Sequence, residues 1–268
     1  MPNPRIVAER VLDELGINSV SDLRKLELIA WARGAVVRET HLSGAEARLV
    51  VLGKSAVITL STTVEHPQRK RFSIAHELGH LEMHRDQNLL TVCLNEDIDN
   101  WVTQRSGTNL EQQANQFASA LLLPRRLFAS LCVDQEPSLD RIAELADLFD
   151  VSLTATALRY VDLSEEPVAA VYSQNRYIKW FHSSRCFKDL GVFIELGRLD
   201  PTSRAASFFR GRPISTAMRQ VKASVWLASG EYQSSAYIQE QSWVMPNYNA
   251  VLTLLWIDDD IEEDSDWA

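Results

Sequence analysis

The stretch RFSIAHELGHLEMH, residues 71–84, holds three of the chain's six histidines at a constant spacing of four: His76, His80 and His84. On an α-helix each residue advances by about 100°, so side chains four apart share a face, roughly 6 Å from one another. His76 and His80 can then reach one ion through imidazole nitrogens at bond lengths of roughly 2 Å. Glu77, on the adjacent edge, need not ligate; it can hold an attacking water and take its proton. This is the physical content of H-E-x-x-H as a zinc hydrolase pattern. His84 lies two turns from His76, about 12 Å along the axis, too far for both to bind one ion. It is not the third ligand of a metzincin either, because that pattern needs glycine and histidine where this chain has Met83 and Asp86. His84 reads first as a helix-end residue held by hydrogen bonds and favoured by the helix dipole, with a place behind the ligands or on the substrate side as the alternative.

The helix that must carry these groups looks buried. Phe72, Ile74, Ala75, Leu78 and Leu81 surround the pair, and Pro67 suits a first helical position. Gly79 sits in mid-helix at a cost of about 1 kcal/mol against alanine, which points to close approach by another element. The third ligand must come from elsewhere. A second helix, EQQANQFASALLL, begins at Glu111 and is closed by Pro124. By i, i+3, i+4 spacing its inner stripe is Glu111, Ala114, Asn115, Ala118, Leu121 and Leu122. Ala114 and Ala118 leave room for the first helix, and Asn115 can orient Glu111 or a neighbouring histidine. From spacing alone, Glu111 competes with Glu96, Asp97 and Asp99 in the preceding segment. It could also serve only as an acid favoured at a helix N-terminus.

Together, RKRFSIAHELGHLEMH and EQQANQFASALLLP closely resemble the ImmA/IrrE family of metallo-endopeptidases, whose pattern is RFxxAHELGHxxxH followed by ExxANxFAxxLLxP. The upstream RLVVLGKSAVITLS fits the family as well, and the resemblance covers roughly residues 25–160. It implies metal ligands at His76, His80 and Glu111, with Glu77 as the catalytic base. It implies Zn²⁺ as cofactor, although Mn²⁺ or Fe²⁺ suits a similar nitrogen and oxygen shell. It also implies a protein substrate, a helix-turn-helix transcriptional repressor cleaved in a stress or signal response.

Composition sets the frame. The chain has 268 residues, 46% hydrophobic and 24% charged, ordinary for a globular protein and enough for one large domain or two to three small ones. Three well-separated cysteines, Cys93, Cys132 and Cys186, form no CxxC pair and no disulfide framework. With no secretory leader and no apolar run long enough to span a bilayer, the expected setting is the cytoplasm, away from membranes. The net charge is −9, but seven acids lie in the last eleven residues, DDDIEEDSDWA; the rest of the chain carries only −2. No basic face of the kind a nucleic-acid binder needs is present.

The expected fold class is α+β in three parts. A zincin-like metallopeptidase domain spans 1–134, with helices over 4–15 and 21–32, Ser21 capping the second, and a hairpin at 47–60 around Gly53-Lys54. Residues 86–110 read as a long loop. A helix-turn-helix-like helical segment spans 135–163, with a break near Val151-Ser152. It holds four acids, Asp140, Glu144, Asp147 and Asp150, against Arg141 and Arg159, which argues against direct DNA contact. An α+β domain spans 164–268, with strand-like runs VAAVYSQNRYIKWF, VKASVWLA, SAYIQEQSWVM and AVLTLLWI; a sensory role is one reading of it, though no cofactor motif supports that. The alternative to a protease is a transcriptional regulator or interaction module that keeps the zincin fold as a scaffold.

Overall fold

The computed structural model describes residues 2–85, 91–93, 109–132, 135–228 and 236–258. Glu96, Asp97 and Asp99, most of the segment read as a long loop, and the acidic tail from residue 259 lie outside them. The chain divides into two units, Met1–Leu131 with Leu145–Thr156, and Cys132–Glu144 with Ala157–Ala268.

The first unit opens with helices α1 (Pro4–Glu14), α2 (Val20–Leu23) and α3 (Leu26–Ala32). The single helix expected over 21–32 is therefore two, and its N-cap is Ser19, whose hydroxyl accepts from Asp22 N–H. The break has a cause that periodicity does not carry. Lys25 leaves helical geometry (φ −93°, ψ 53°), and the carbonyls of Leu23 and Arg24 turn to accept from the Arg71 guanidinium, each at 3.0 Å.

Strands β1 (Ala35–Thr40), β2 (Ala47–Leu52), β3 (Ser55–Ser61) and β4 (Thr91–Cys93) form a sheet in the order β1-β3-β2-β4. The expected hairpin is β2–β3, pairing Leu52 with Ser55 across Gly53-Lys54; Gly53 takes φ +61°, which only glycine adopts without strain. β1 pairs parallel to β3, and β4 pairs antiparallel to β2. β1 has no clear sequence signature, because it is an edge strand whose side chains are mostly exposed.

Against this sheet lies α4 (Pro67–His84), and against α4 lies α5 (Asn109–Leu122). Helix α5 begins two residues before Glu111, so Glu111 sits within the first turn rather than at its head. α4 is buried on nearly all sides from Ser73 to Leu81. Its N-terminal turns are tied down by three basic residues in a row: Arg69 to Glu46 at 2.6 Å, Lys70 to Glu39 at 2.7 Å, and Arg71 to the backbone carbonyls already named and that of Asp150. Nearer its C-terminus, Glu82 accepts two bonds of 2.8 Å from Arg33, which also reaches Glu14 at 2.7 Å. α6 (Arg125–Ala129) follows α5. Then come α7 (Leu139–Phe149) and α8 (Leu153–Leu163), whose intervening turn carries Asp150 at φ +53°. The division between units falls inside α7 and α8.

The second unit is an antiparallel sheet of β5 (Val168–Gln174), β6 (Tyr177–Ser183), β8 (Arg219–Lys222), β10 (Tyr237–Met245) and β11 (Ala250–Trp256), in the order β6-β5-β11-β10-β8. Short helices α9 (Arg185–Asp189) and α10 (Arg204–Phe208) and the two-stranded β7 (Phe193–Ile194) with β9 (Leu227–Ala228) complete it. Its core gathers Val171, Val251 and Leu255 from the sheet with Phe187, Ala205 and Trp226. The strand expected from VKASVWLA is instead β8, a 3₁₀ turn and β9, because the chain leaves the sheet at Ala223. Glu240 is fully buried and accepts from Arg219 at 2.6 Å and from Arg204 N–H at 2.9 Å. Burial pushes the Cys132 thiol up to about 11. No helix among the described residues is long and apolar enough to cross a membrane.

Gly79 is the contact point of α4 and α5. A Cβ there would lie 3.1 Å from Ala114 Cα, 3.1 Å from Phe117 Cδ1 and 3.2 Å from the Ala114 carbonyl oxygen. Two of those three atoms are backbone, which cannot rotate away. Gly79→Ala should therefore lower stability by about 1–2 kcal/mol in denaturant unfolding, the overpacking cost exceeding the helix-propensity gain of about 1 kcal/mol. A more stable Gly79→Ala protein would show that the helices do not need this approach.

Candidate metal centre

One turn of α4 places His76 and His80 on the same face, and the first turn of α5 brings Glu111 to it. Nε2 of His76 lies 3.0 Å from Glu111 Oε2, Nε2 of His80 lies 3.3 Å from the same oxygen, and the two Nε2 atoms are 3.1 Å apart. These residues form a group of potential metal donors among the described residues. Three donors held by one tetrahedral ion at roughly 2.0 Å must stand about 3.3 Å from each other. The observed triangle matches that requirement. His76 and His80 are buried, and the Glu111 side chain is 16% exposed.

The donor set also fits chemically. Nδ1 of His76 donates to Asn115 Oδ1 at 2.8 Å, which leaves the Nε2 lone pair turned toward the triangle. Nδ1 of His80 faces His84 Nδ1 at 3.0 Å. Two imidazole lone pairs and a carboxylate oxygen pointing at one small volume repel each other unless a cation lies between them. Protons and a divalent ion compete for these lone pairs, and the electrostatics reflect that. Burial works against its charge, yet the imidazoles of His76 and His80 hold the Glu111 carboxyl far below the usual carboxylate range. Burial likewise opposes charge on His76, but Glu111 and Glu77 outweigh it and raise the imidazole above its ordinary value. Burial, with His76 and His84 beside it, keeps His80 below its ordinary value despite Glu111.

Glu77 is fully buried on the same turn, close enough to His76 to act on its charge. Of the residues singled out from sequence, His76, His80 and Glu111 are brought together, Glu77 stands beside them, and Asn115 holds His76 rather than Glu111. His84 is 3% exposed and engages both ring nitrogens, with His80 and with Gln113 Oε1 at 3.2 Å. Sequence reasoning missed Gln113. It lies off the apolar stripe of α5, and no spacing rule points to it.

The region that carries these residues is similar to known proteins. Residues 32–160 match a peptidase family model described as the IrrE N-terminal-like domain. A protein named radiation response metalloprotease IrrE from Deinococcus radiodurans is 31% identical over 117 residues, covering 43% of this chain and 34% of that protein. One of the same name from Deinococcus deserti is 33% identical over 113 residues, covering 42% and 38%. The chain thus spans little more than a third of the length of the curated relatives it matches. Among solved structures, a chain described as a Mycobacterium tuberculosis transcriptional regulator superposes with a TM-score of 0.56 over 95% of this chain and 75% of that one, at 18% identity. That likeness is one of fold.

A triangle of this size should take one equivalent of Zn²⁺ per chain in a calorimetric titration. Zn²⁺ at about 100 times its Kd should stabilise the fold by about 2.7 kcal/mol, and a chelator should reverse this. Glu111→Ala should weaken binding at least tenfold, about 1.4 kcal/mol. Unchanged affinity in that variant would remove Glu111 from the donor set.

Proposed function

Residues 32–160 belong to the ImmA/IrrE family, and on that premise we propose that this chain is a zinc-dependent endopeptidase. The observation that carries the reading is the convergence of His76 Nε2, His80 Nε2 and Glu111 Oε2 within 3.0–3.3 Å, with buried Glu77 on the same turn. His76, His80 and Glu111 would hold the ion, Zn²⁺ in the first instance. When bound, it supplies Lewis acidity, acidifying water toward neutrality and polarising a carbonyl oxygen.

The chain's own residues do the rest. Asn115 holds His76 in the tautomer whose Nε2 is a donor. Two neutral imidazoles and one carboxylate leave a divalent ion a net charge of about +1, so its electrophilic character survives ligation. Glu77 accepts the proton of the attacking water on its carboxylate and passes it to the nitrogen of the leaving amine. Burial of Glu77 excludes bulk water from that transfer. Since one carboxylate takes and returns the same proton, the protein ends the cycle as it began.

For substrate, the reading is a specific protein, in the first instance a helix-turn-helix repressor cleaved in a stress or signal response. Support for this reading comes from the relatives named radiation response metalloproteases. In this reading residues 1–134 are the catalytic domain, the helical segment 135–163 is a docking element, and 164–268 a regulatory domain, in a cytoplasmic setting.

The test is incubation of the metal-loaded protein with purified candidate helix-turn-helix repressors from the same organism, with and without chelator, read as fragments on a gel. Glu77→Gln should keep one equivalent of metal and lose cleavage by at least about 100-fold. His80→Ala should lose metal and cleavage together. Cleavage that persists in chelator or in Glu77→Gln would defeat the mechanism. Sequence-specific DNA binding by the chain alone, with no cleavage, would favour a regulator built on the same fold.

A further inference from the structure

His84 stands outside the donor triangle, yet it ends a chain of hydrogen bonds that begins on α5. Its Nδ1 lies 3.0 Å from His80 Nδ1, and its Nε2 lies 3.2 Å from Gln113 Oε1. Gln113 Nε2 in turn donates to Asn109 Oδ1 at 2.8 Å. His80, His84 and Gln113 are each at most 9% exposed, so water does not substitute for these partners freely.

The direction of the chain fixes where the protons sit. The Gln113 amide nitrogen is turned to Asn109, so the Gln113 oxygen faces His84 and can only accept. As a neutral imidazole, His84 must therefore carry its proton on Nε2, and its Nδ1 is a bare lone pair. His80, facing that lone pair, must carry its proton on Nδ1. Nε2 of His80 is then unprotonated and turned to His76 Nε2 and Glu111 Oε2. The opposite tautomer at His84 would set its Nε2 lone pair against the Gln113 Oε1 lone pairs at 3.2 Å.

We propose that His84 and Gln113 are positioning residues that, by a relay starting at Asn109, fix the tautomer and ring orientation of His80 as a metal ligand. The proposal rests on the metal-site reading above. It gives α5 control of all three donors: Glu111 directly, His76 through Asn115, and His80 through Gln113 and His84. Partners of this kind raise ligand basicity and lock the ring, and losing one costs about 10–100-fold in metal affinity.

The experiment measures Zn²⁺ affinity by competition with a chromophoric chelator, in the full chain. His84→Leu, which fills the space but cannot accept, should fall about 10–100-fold. His84→Asn, whose Oδ1 takes the place of Nδ1, should stay near wild type. Equal affinity in all three proteins, or an asparagine variant as weak as the leucine one, overturns the relay and leaves the metal site standing. A wild-type protein that binds no Zn²⁺ overturns both. Nitrogen NMR of the metal-free wild type supplies a readout that needs no variant: His84 should be protonated at Nε2 and His80 at Nδ1, and the reverse at either ring overturns the relay.

Discussion

The centre of the first unit depends on how closely α4 and α5 can approach. At Gly79 nothing stands between the two backbones, and a single methyl group would already be 3.1 Å from Ala114 Cα. Donors on different helices can share one ion only if their separation is held to a few tenths of an ångström. The glycine sets that separation. Ala114 and Phe117, fully buried on the facing helix, fill the space around it so that neither helix can slide.

Close approach would be of little use if the helix carrying the site could not be kept in the interior. α4 is polar for a buried helix: Arg71, His76, Glu77, His80 and His84 are each at most 9% exposed. Such groups are costly to bury without partners. The fold supplies partners from every side, and most serve a second purpose. Arg71 takes up the carbonyls that end α2, so the same contact that neutralises the cost of burying it also shapes the chain's N-terminal region. Asn115 satisfies His76 and chooses its tautomer at once. The arrangement favours one conformation of the site over general stability, as expected where activity sets the requirement.

The second unit follows a different logic. Its sheet places the last strand, β11, between the first, β5, and β10, so strands far apart in sequence become neighbours and enclose one apolar core. Its buried charge, Glu240, is matched by Arg219 and by the first N–H of α10, which fixes that helix to the sheet. The long strands β5, β6, β10 and β11 were legible as runs of β-branched and aromatic residues, whereas the sheet order and the break at Ala223 were not.

By itself the sequence determined the chemistry that is available. The spacing of His76 and His80, the acid between them, the small residues of the second helix and the hairpin at Gly53 all follow from helix and strand periodicity, which local sequence carries in full. It could not determine what lies beyond one element's reach. Spacing left Glu111 level with other acids; only the packing of α5 on α4 sets its oxygen within 3.3 Å of both imidazoles. The break at Lys25 was hidden because its cause, Arg71, lies 46 residues further along the chain. For the same reason the sequence left His84 open between a helix-end place and one behind the ligands, since a histidine's tautomer is chosen by its hydrogen-bond partners. Those partners, His80 on its own helix and Gln113 on another, meet only when the chain is folded.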